Sequence, residues 1–401
     1  MTNAYLHSRS VLAGYDPARL LDARVLVVGL GALGQNVVQN LALVGVGQLM
    51  LVDFDDFEGH NATRSPFFPT HAEVDQFGAG KATTVAHRAA QVSTASDARV
   101  YYCAELIQEL GDGAVNWADV VVSAVDSTTA RAWLAERSRL LARPMVEGGF
   151  SGPVFNLSAF APDAGACYRC GRPGRESSMS CTAYALAAEQ ANIVPAIQTS
   201  AAVLGGYLAE QVIQILHGNL NRFGHRSYGD VRRETLITAT LEADPKCPGI
   251  HQPQPVVGVV RDLGSKPALD DLVGAVARQF GGGLIRFPEP VIPRISCTKC
   301  LKPCLVQATE SSWLTNPKCV DCNGQWPVIG SYRPDSVTEV DTSDELSDEL
   351  ASTPLDRLGI RSGASLAVQL ADRRSGLLRI EGDILAWVQR ATMSETTALD
   401  L

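Results

Sequence analysis

Two sets of residues in this 401-residue chain have types and spacing that suit chemistry. The first is a glycine loop followed by dispersed charges. Gly29-x-Gly31-x-x-Gly34 follows the apolar run Val25-Leu26-Val27-Val28 and opens a helical pattern. Glycines there permit a tight turn and let backbone amides approach phosphate. A helix N-terminus, carrying about half a positive charge, favours the anion. Asp53 closes the next apolar strand, where a carboxylate binds a ribose hydroxyl. This much suits NAD, FAD, S-adenosylmethionine or ATP alike, or a purely structural turn. Arg64, Lys81 and Asp126 narrow the choice. A nicotinamide site needs no such trio, and a triphosphate does. Arg64 offers paired donors to phosphate oxygens, Lys81 a point charge, and Asp126 a carboxylate for Mg2+. For each residue alone, a solvated surface charge is the plain alternative.

The second set is made of thiols. Cys297-x-x-Cys300, an 18-residue gap and Cys319-x-x-Cys322 have the spacing of a zinc ribbon. Four thiolates close a tetrahedral Zn2+ site, which is structural and not catalytic. Cys304 is a spare thiol able to substitute, and unliganded thiols are the alternative. Cys167-x-x-Cys170 is a further pair, and Cys103 reads as strand core.

The elements that must position these residues alternate between strand and helix from residue 24 to about 245. Wholly apolar strands are expected at Val25–Val28 and Gln48–Val52, and a later one at Asp119–Ala124. Helices are expected at Gln35–Val44, stopped by Gly45, and at Thr199–His217, closed by Gly218. The pattern predicts an α/β fold: a Rossmann-like, mostly parallel sheet with helices on both faces. A zinc ribbon and a small β-rich C-terminal unit follow it. The expected division is an ATP-binding domain over 1–250, a small α/β segment over 251–295 with a helix at Ala268–Phe280, the ribbon over 296–332, an acidic linker over 333–352, and the β-rich unit over 353–401.

Composition excludes other classes. Lys and Arg number 34 against 43 Asp and Glu, so the net charge of −9 leaves no broad basic surface for nucleic acid or anionic lipid. Tryptophans are too scattered for a base-stacking platform. No apolar stretch reaches the ~18 residues of a membrane span, and Arg9, Asp16, Arg19, Asp22 and Arg24 break any signal-peptide core. A cytoplasmic location is expected, where ten cysteines serve as metal ligands, nucleophiles or core residues.

Taken together, Gly29-Leu-Gly31-Ala-Leu-Gly34, Leu51-Val-Asp53-Phe-Asp55, Asn61-x-x-Arg64, Lys81 and Asp126 resemble the adenylating superfamily of ThiF, MoeB and the ubiquitin-activating enzymes. The resemblance covers roughly residues 5 to 250. It implies adenylation of the C-terminal glycine of a ubiquitin-like protein, with pyrophosphate released. It also implies that Asp53 and Asp55 serve the nucleotide, that Asn61, Arg64 and Lys81 meet the ATP phosphates, and that Asp126 holds Mg2+. Arg9, in His7-Ser-Arg9-Ser, sits roughly where the family has an arginine reaching across a homodimer to ATP. The family pairs Cys167-x-x-Cys170 with a second Cys-x-x-Cys near the domain's end. Here that place holds Cys247-Pro-Gly-Ile-His251, which gives a Cys3His zinc set or a partly vacant one. Cys181, near Arg172 and Arg175, resembles the family cysteine that receives the activated C-terminus. Positive neighbours favour its thiolate.

Three fates compete. The leading expectation is thioester transfer through Cys181 to a conjugation partner such as a conjugating enzyme. The alternative is adenylation of a sulfur carrier for thiocarboxylate formation in cofactor or thionucleoside synthesis. No rhodanese-like module is evident in residues 250–401. A non-catalytic zinc-ribbon adaptor retaining a nucleotide fold is the third, disfavoured by intact Arg64, Lys81 and Asp126. A nicotinamide oxidoreductase would leave those residues unexplained.

Overall fold

A computed structural model describes residues 7–170, 195–221, 223–297, 299–315, 319, 322, 324 and 336–391. The chain divides into two compact units. Described residues up to Glu105, Val115–Pro253 and those from Val388 onward form the first; Leu106–Ala114 and Gln254–Trp387 form the second.

The first unit is built on strands β1 (Arg24–Val28), β2 (Gln48–Val52), β3 (Arg99–Cys103), β4 (Val120–Ser123), β5 (Met145–Ser151), β6 (Val154–Phe160), β7 (His225–Asp230) and β8 (Thr235–Thr240). Their spatial order is β3-β2-β1-β4-β5-β6-β7-β8, with the short strand Gln389–Arg390 antiparallel on β3. β1 to β5 are mutually parallel, and β6 to β8 continue antiparallel. The apolar runs form strands buried on both faces. Val25, Leu26 and Val27 are fully buried, as are Met50, Leu51, Val121 and Val122. The first-unit helices that matter here are α1 (Ser8–Leu12), α2 (Pro17–Asp22), α3 (Ala32–Val44), α4 (Lys81–Val92), α5 (Thr128–Leu140) and α6 (Gln198–Leu216). α3, α4 and α6 share one apolar cluster with alternate residues of β1 to β4. α3 begins three residues before the expected Gln35, directly after Gly31, because the glycine loop itself forms the helix entry.

Strand order reverses between β1 and β4, since β1 pairs with β2 on one side and β4 on the other. At such a switch point the connections leave in opposite directions and open a crevice at the C-terminal ends of the strands. Register aligns those ends: Val28 lies beside Val52 and Ser123, and Val52 beside Cys103. Gly29, Asp53 and Ala124 therefore emerge along one rim.

The second unit carries β9 (Val256–Val260), α7 (Leu269–Phe280), β10 (Gly283–Ser296), β11 (Pro303–Thr309), β12 (Val337–Asp341), β13 (Ser365–Leu370) and β14 (Ser375–Ile380). Its sheet runs β11-β10-β13-β14-β9, with β12 also on β10. Leu272 and Val276 of α7 pack with Ile285, Val340, Leu366 and Leu378 in one core. The segment expected as a solvated acidic linker differs from that reading: it supplies β12 and the short helix Asp348–Ala351. Asp341, Asp344, Glu345, Asp348 and Glu349 lie between Val340 and Leu350, both buried in that core. Residues expected as accessory segment, ribbon, linker and β-rich unit thus contribute to one second unit. Among the described residues, no helix is long and apolar enough to cross a membrane.

Candidate functional site

Gly29 turns with φ +86, and a Cβ there would lie 2.7 Å from the Ala124 carbonyl carbon and oxygen. Gly34 is tighter: a Cβ would stand 1.9 Å from the Gly29 oxygen. Gly31 faces open space, with nothing within 4 Å of a Cβ. Gly31 caps α3 with no side chain, so the amides of the first turn are left for an external acceptor. The two outer glycines make the loop close, and the middle one leaves room above it.

Asp53 fastens this loop to β2. Its Oδ2 accepts the Leu30 N–H at 2.6 Å and its Oδ1 accepts the Asp55 N–H at 2.9 Å. Burial pushes its carboxyl above the usual range, against the pull of the Leu30 amide and Lys81. Gln35 adds a second tie that sequence reasoning missed. It is fully buried, donates to the Leu30 carbonyl at 2.8 Å and accepts the Phe67 N–H at 3.1 Å. The available signal was a long amide on an otherwise apolar helix.

Asn61 is buried and its Oδ1 accepts the Glu58 N–H at 2.9 Å. The turn continues as the Arg64 N–H bonds to the Asn61 carbonyl at 3.0 Å. The half-buried Arg64 guanidinium makes no ion pair among the described residues. Lys81 is placed by backbone pairing: its N–H donates to the Asp55 carbonyl at 2.9 Å, and Phe57 N–H donates to Ala79 at 2.7 Å. Its Nζ meets Asp55 Oδ2 at 2.8 Å, with the lysine side chain only 12% exposed. A cation at the first position of α4 opposes the helix dipole. That placement suits a residue awaiting an anion.

Asp126 follows β4 and is exposed, with no hydrogen bond or ion pair among the described residues. Its two neighbours are fixed. Ser127 Oγ caps α5 by accepting the Ala130 N–H at 3.3 Å, and Arg131 donates to the Val125 carbonyl. Arg131 also meets the fully buried Glu147 at 2.9 Å. Arg9 is exposed on α1 and bonds to none of these residues. The Tyr15 hydroxyl, donating to Glu210 at 2.6 Å, and the Asp16 N–H, donating to His217 Nε2 at 2.7 Å, tie its segment to the end of α6. Cys181 lies outside the described residues.

Both thiol sets converge. Cys167, Cys170, Cys247 and His251 place their ligand atoms within 4.8 Å of one another, as do Cys297, Cys300, Cys319 and Cys322. Zn–S bonds of about 2.3 Å set tetrahedral Sγ–Sγ edges near 3.8 Å, and shorter Zn–N bonds set Sγ–N edges near 3.6 Å. Cys167 lies 3.8 Å from Cys170 and 3.6 Å from Cys247, and Cys170 lies 3.6 Å from His251 Nε2. In the second set, Cys297–Cys322 and Cys300–Cys319 are each 3.7 Å apart. Both donor sets fit Zn2+. Cys304, the spare thiol, sits 3.2 Å from Cys319.

Arg139 holds the first set together and was not singled out in the sequence. It is buried and donates to the carbonyls of Ala164 at 2.6 Å, Ala166 at 2.9 Å and His251 at 3.4 Å. Burial pulls its guanidinium below the ordinary range, while Cys167, Asp163 and Cys170 pull it back up. A Cys3His set holding Zn2+ carries one net negative charge, which Arg139 offsets. Burial pushes the Cys167 thiol up to about 12, so a metal entering this set must displace its proton.

The ThiF family model matches residues 9–248. The sulfur carrier protein adenylyltransferase of Thermus thermophilus is 28% identical over 251 residues, 60% of this chain and 88% of that protein. The SAMP-activating enzyme E1 of Haloferax volcanii is 35% identical over 153 residues, 38% of this chain and 54% of its own. The adenylyltransferase and sulfurtransferase MOCS3 of mouse is 34% identical over 152 residues, 38% of this chain. The match spans about a third of the mouse protein, 32%, and 38% of its Arabidopsis counterpart. The crystal structure of Escherichia coli MccB with AMPCPP and MccA shares the fold, with a TM-score of 0.52 and 20% identity over 62% of this chain and 74% of that one. The chain belongs to the ThiF family, within the superfamily that includes MoeB and the ubiquitin-activating enzymes.

Proposed function

We propose that this protein uses ATP to adenylate the C-terminal glycine carboxylate of a small sulfur-carrier protein of the ubiquitin-like class. One observation supports the reading: Gly31 opens α3 just after β1 and Asp126 follows β4 on the other side of the switch point, with Lys81 paired to Asp55 just beyond β2 and Asp126 unpartnered among the described residues. The choice of a sulfur carrier over a conjugated modifier follows the relatives, whose names include a sulfur carrier protein adenylyltransferase and MOCS3.

A carboxylate is a poor electrophile at neutral pH, and adenylation makes it a good one. One of its oxygens attacks the α-phosphorus of ATP, a new O–P bond forms, and the bond to the β-phosphate oxygen breaks to release pyrophosphate. The nucleophile is already ionised, so no general base is required. Positioning and charge stabilisation are what remain. The first-turn amides of α3 would cradle phosphate, Asp53 would accept from ribose, and Arg64 and Lys81 would balance charge moving onto pyrophosphate. Asp126 would hold Mg2+, a hard cation that shields the triphosphate. Lys81 rests on Asp55 until the triphosphate draws it away.

Zn2+ in both thiol sets would be structural, since each set closes with four protein ligands. A homodimer with Arg9 reaching the partner's ATP belongs to the same reading. A second fate, thioester formation on Cys181 for a conjugating enzyme, draws support from the similarity to the SAMP-activating enzyme.

Arg64→Ala and Asp126→Ala each remove one transition-state contact. Each is expected to lower carrier-dependent pyrophosphate release by 10²–10³-fold, or about 3–4 kcal/mol. Near-normal release would remove the phosphate and Mg2+ assignments.

A further inference from the structure

Arg131 is absent from the contacts assigned to ATP, yet it is built in beneath Asp126. One arm of its guanidinium meets Glu147 at 2.9 Å, and the other donates to the Val125 carbonyl, the peptide that leads into Asp126. Glu147 is fully buried on β5, with Arg226 of β7 also facing it at 3.7 Å. Arg226 in turn donates to Ser158 at 3.0 Å. Two guanidiniums thus face this one buried carboxylate. Burying ions is costly, and an apolar set of similar volume could fasten α5 to β5 as well. An apolar set could not hold a carbonyl.

The carbonyl held is the informative part. The preceding peptide, Ala124–Val125, is the surface on which Gly29 packs: a Cβ on Gly29 would lie 2.9 Å from the Val125 nitrogen. The glycine loop and the Asp126 loop therefore share a wall, and Arg131 fixes that wall from behind. Gly149 leaves space for it, since a Cβ there would come within 3.1 Å of Arg131 Nη1. Among the described residues, Asp126 itself has no partner to steer its carboxylate. Its aim comes from the backbone on either side, through Arg131 before it and the Ser127 cap after it.

We infer that Arg131, clamped by Glu147, is a positioning residue that presets Asp126 for the Mg2+ of MgATP. The inference rests on the nucleotide reading above and extends it to a residue that touches neither ATP nor metal. Lysine would not reproduce it, because its compact ammonium lacks the two separate nitrogens with which the planar fork reaches Glu147 and the Val125 carbonyl.

Calorimetric titration of the full chain with ATP, over a range of Mg2+ concentrations, tests this without a carrier protein. In Arg131→Lys, affinity for ATP in EDTA is expected to stay within about twofold of the parent. The Mg2+ concentration giving half of the metal-dependent gain is expected to rise at least about tenfold. Glu147→Gln reports the same effect should Arg131→Lys fail to fold, with thermal unfolding and zinc content recorded for both. In an Asp126→Asn background, Arg131→Lys is expected to add nothing. Unchanged Mg2+ dependence would overturn the inference. So would an equal loss of ATP affinity in EDTA, or effects of Asp126→Asn and Arg131→Lys that multiply. If the parent protein binds no ATP at all, the nucleotide reading falls first and this inference falls with it.

Discussion

The two thiol clusters satisfy the same tetrahedral geometry by different routes. The first gathers Cys167 and Cys170 after β6 with Cys247 and His251 after β8, spanning 80 residues of chain between Cys167 and Cys247. The second gathers its cysteines from a single stretch between Cys297 and Cys322, 25 residues apart. The first is tied by Arg139, on the last turn of α5, to three backbone carbonyls. α5 begins at the Asp126 loop and carries Arg131 near its start. At 1.5 Å per residue, only about 12 Å of helix separates the two arginines. The first cluster therefore braces the far end of the helix that begins at the proposed nucleotide site, whereas the second packs with Ile295, Val306 and Trp313 of its own unit. Metal in the first should matter to catalysis, and metal in the second to the second unit alone.

The largest expected effect follows from that contrast. Cys170→Ser should lose one zinc per chain and, with α5 unbraced, should bring pyrophosphate release down at least about tenfold with a lowered melting temperature. Cys300→Ser should also lose one zinc, yet keep pyrophosphate release within about twofold, with any destabilisation confined to the second unit. Metal analysis with a parallel pyrophosphate assay decides the matter. Equal loss of activity in both would break the distinction.

Next in size is Gly34→Ala. The added methyl group would overlap the Gly29 oxygen, so the loop must open, at a cost of about 1–3 kcal/mol in stability and a large loss of ATP affinity. Equilibrium denaturation and calorimetry read the two quantities separately. Unchanged ATP affinity would mean that this loop is not the phosphate cradle.

The smallest expected effect concerns the spare thiol. Cys304 lies 3.2 Å from Cys319, well inside a tetrahedral edge, so it fits beside the four-ligand set and not within it. Cys304→Ser should keep both zincs, with stability changed by no more than about 1 kcal/mol. Loss of the second zinc would make Cys304 a ligand and redraw that cluster.

How much could be read beforehand varies with the distance over which each feature is specified. The glycine loop, Asp53, Asn61, Arg64, Lys81 and Asp126 sit at or just beyond the ends of strands and helices. Those elements are written in local apolar runs and glycine punctuation. The Cys297–Cys322 set was legible because thiol pairs at that spacing have few other uses, whereas Cys247 and His251 were joined to Cys167 and Cys170 only through the family resemblance. Arg131 and Arg139 were not, because an arginine on a helix reads as a solvated charge until its partners appear. Glu147 lies 16 residues from Arg131, and His251 lies 112 residues from Arg139. β12 was hidden for a different reason. Acidic composition dominated a segment whose decisive residues are a few buried side chains such as Val340 and Leu350.

The most direct test is to incubate the protein with Mg-ATP and a small sulfur-carrier protein ending in glycine, and to measure the intact mass of both proteins under non-reducing conditions. Carrier adenylate is expected, matched by pyrophosphate release and absent when the carrier's terminal glycine is removed. An adduct on the enzyme that thiol reverses, and that Cys181→Ala abolishes, would shift the fate of the adenylate to thioester transfer. Neither adenylate nor pyrophosphate, from a chain that binds ATP and holds its zinc, would contradict carboxylate activation itself.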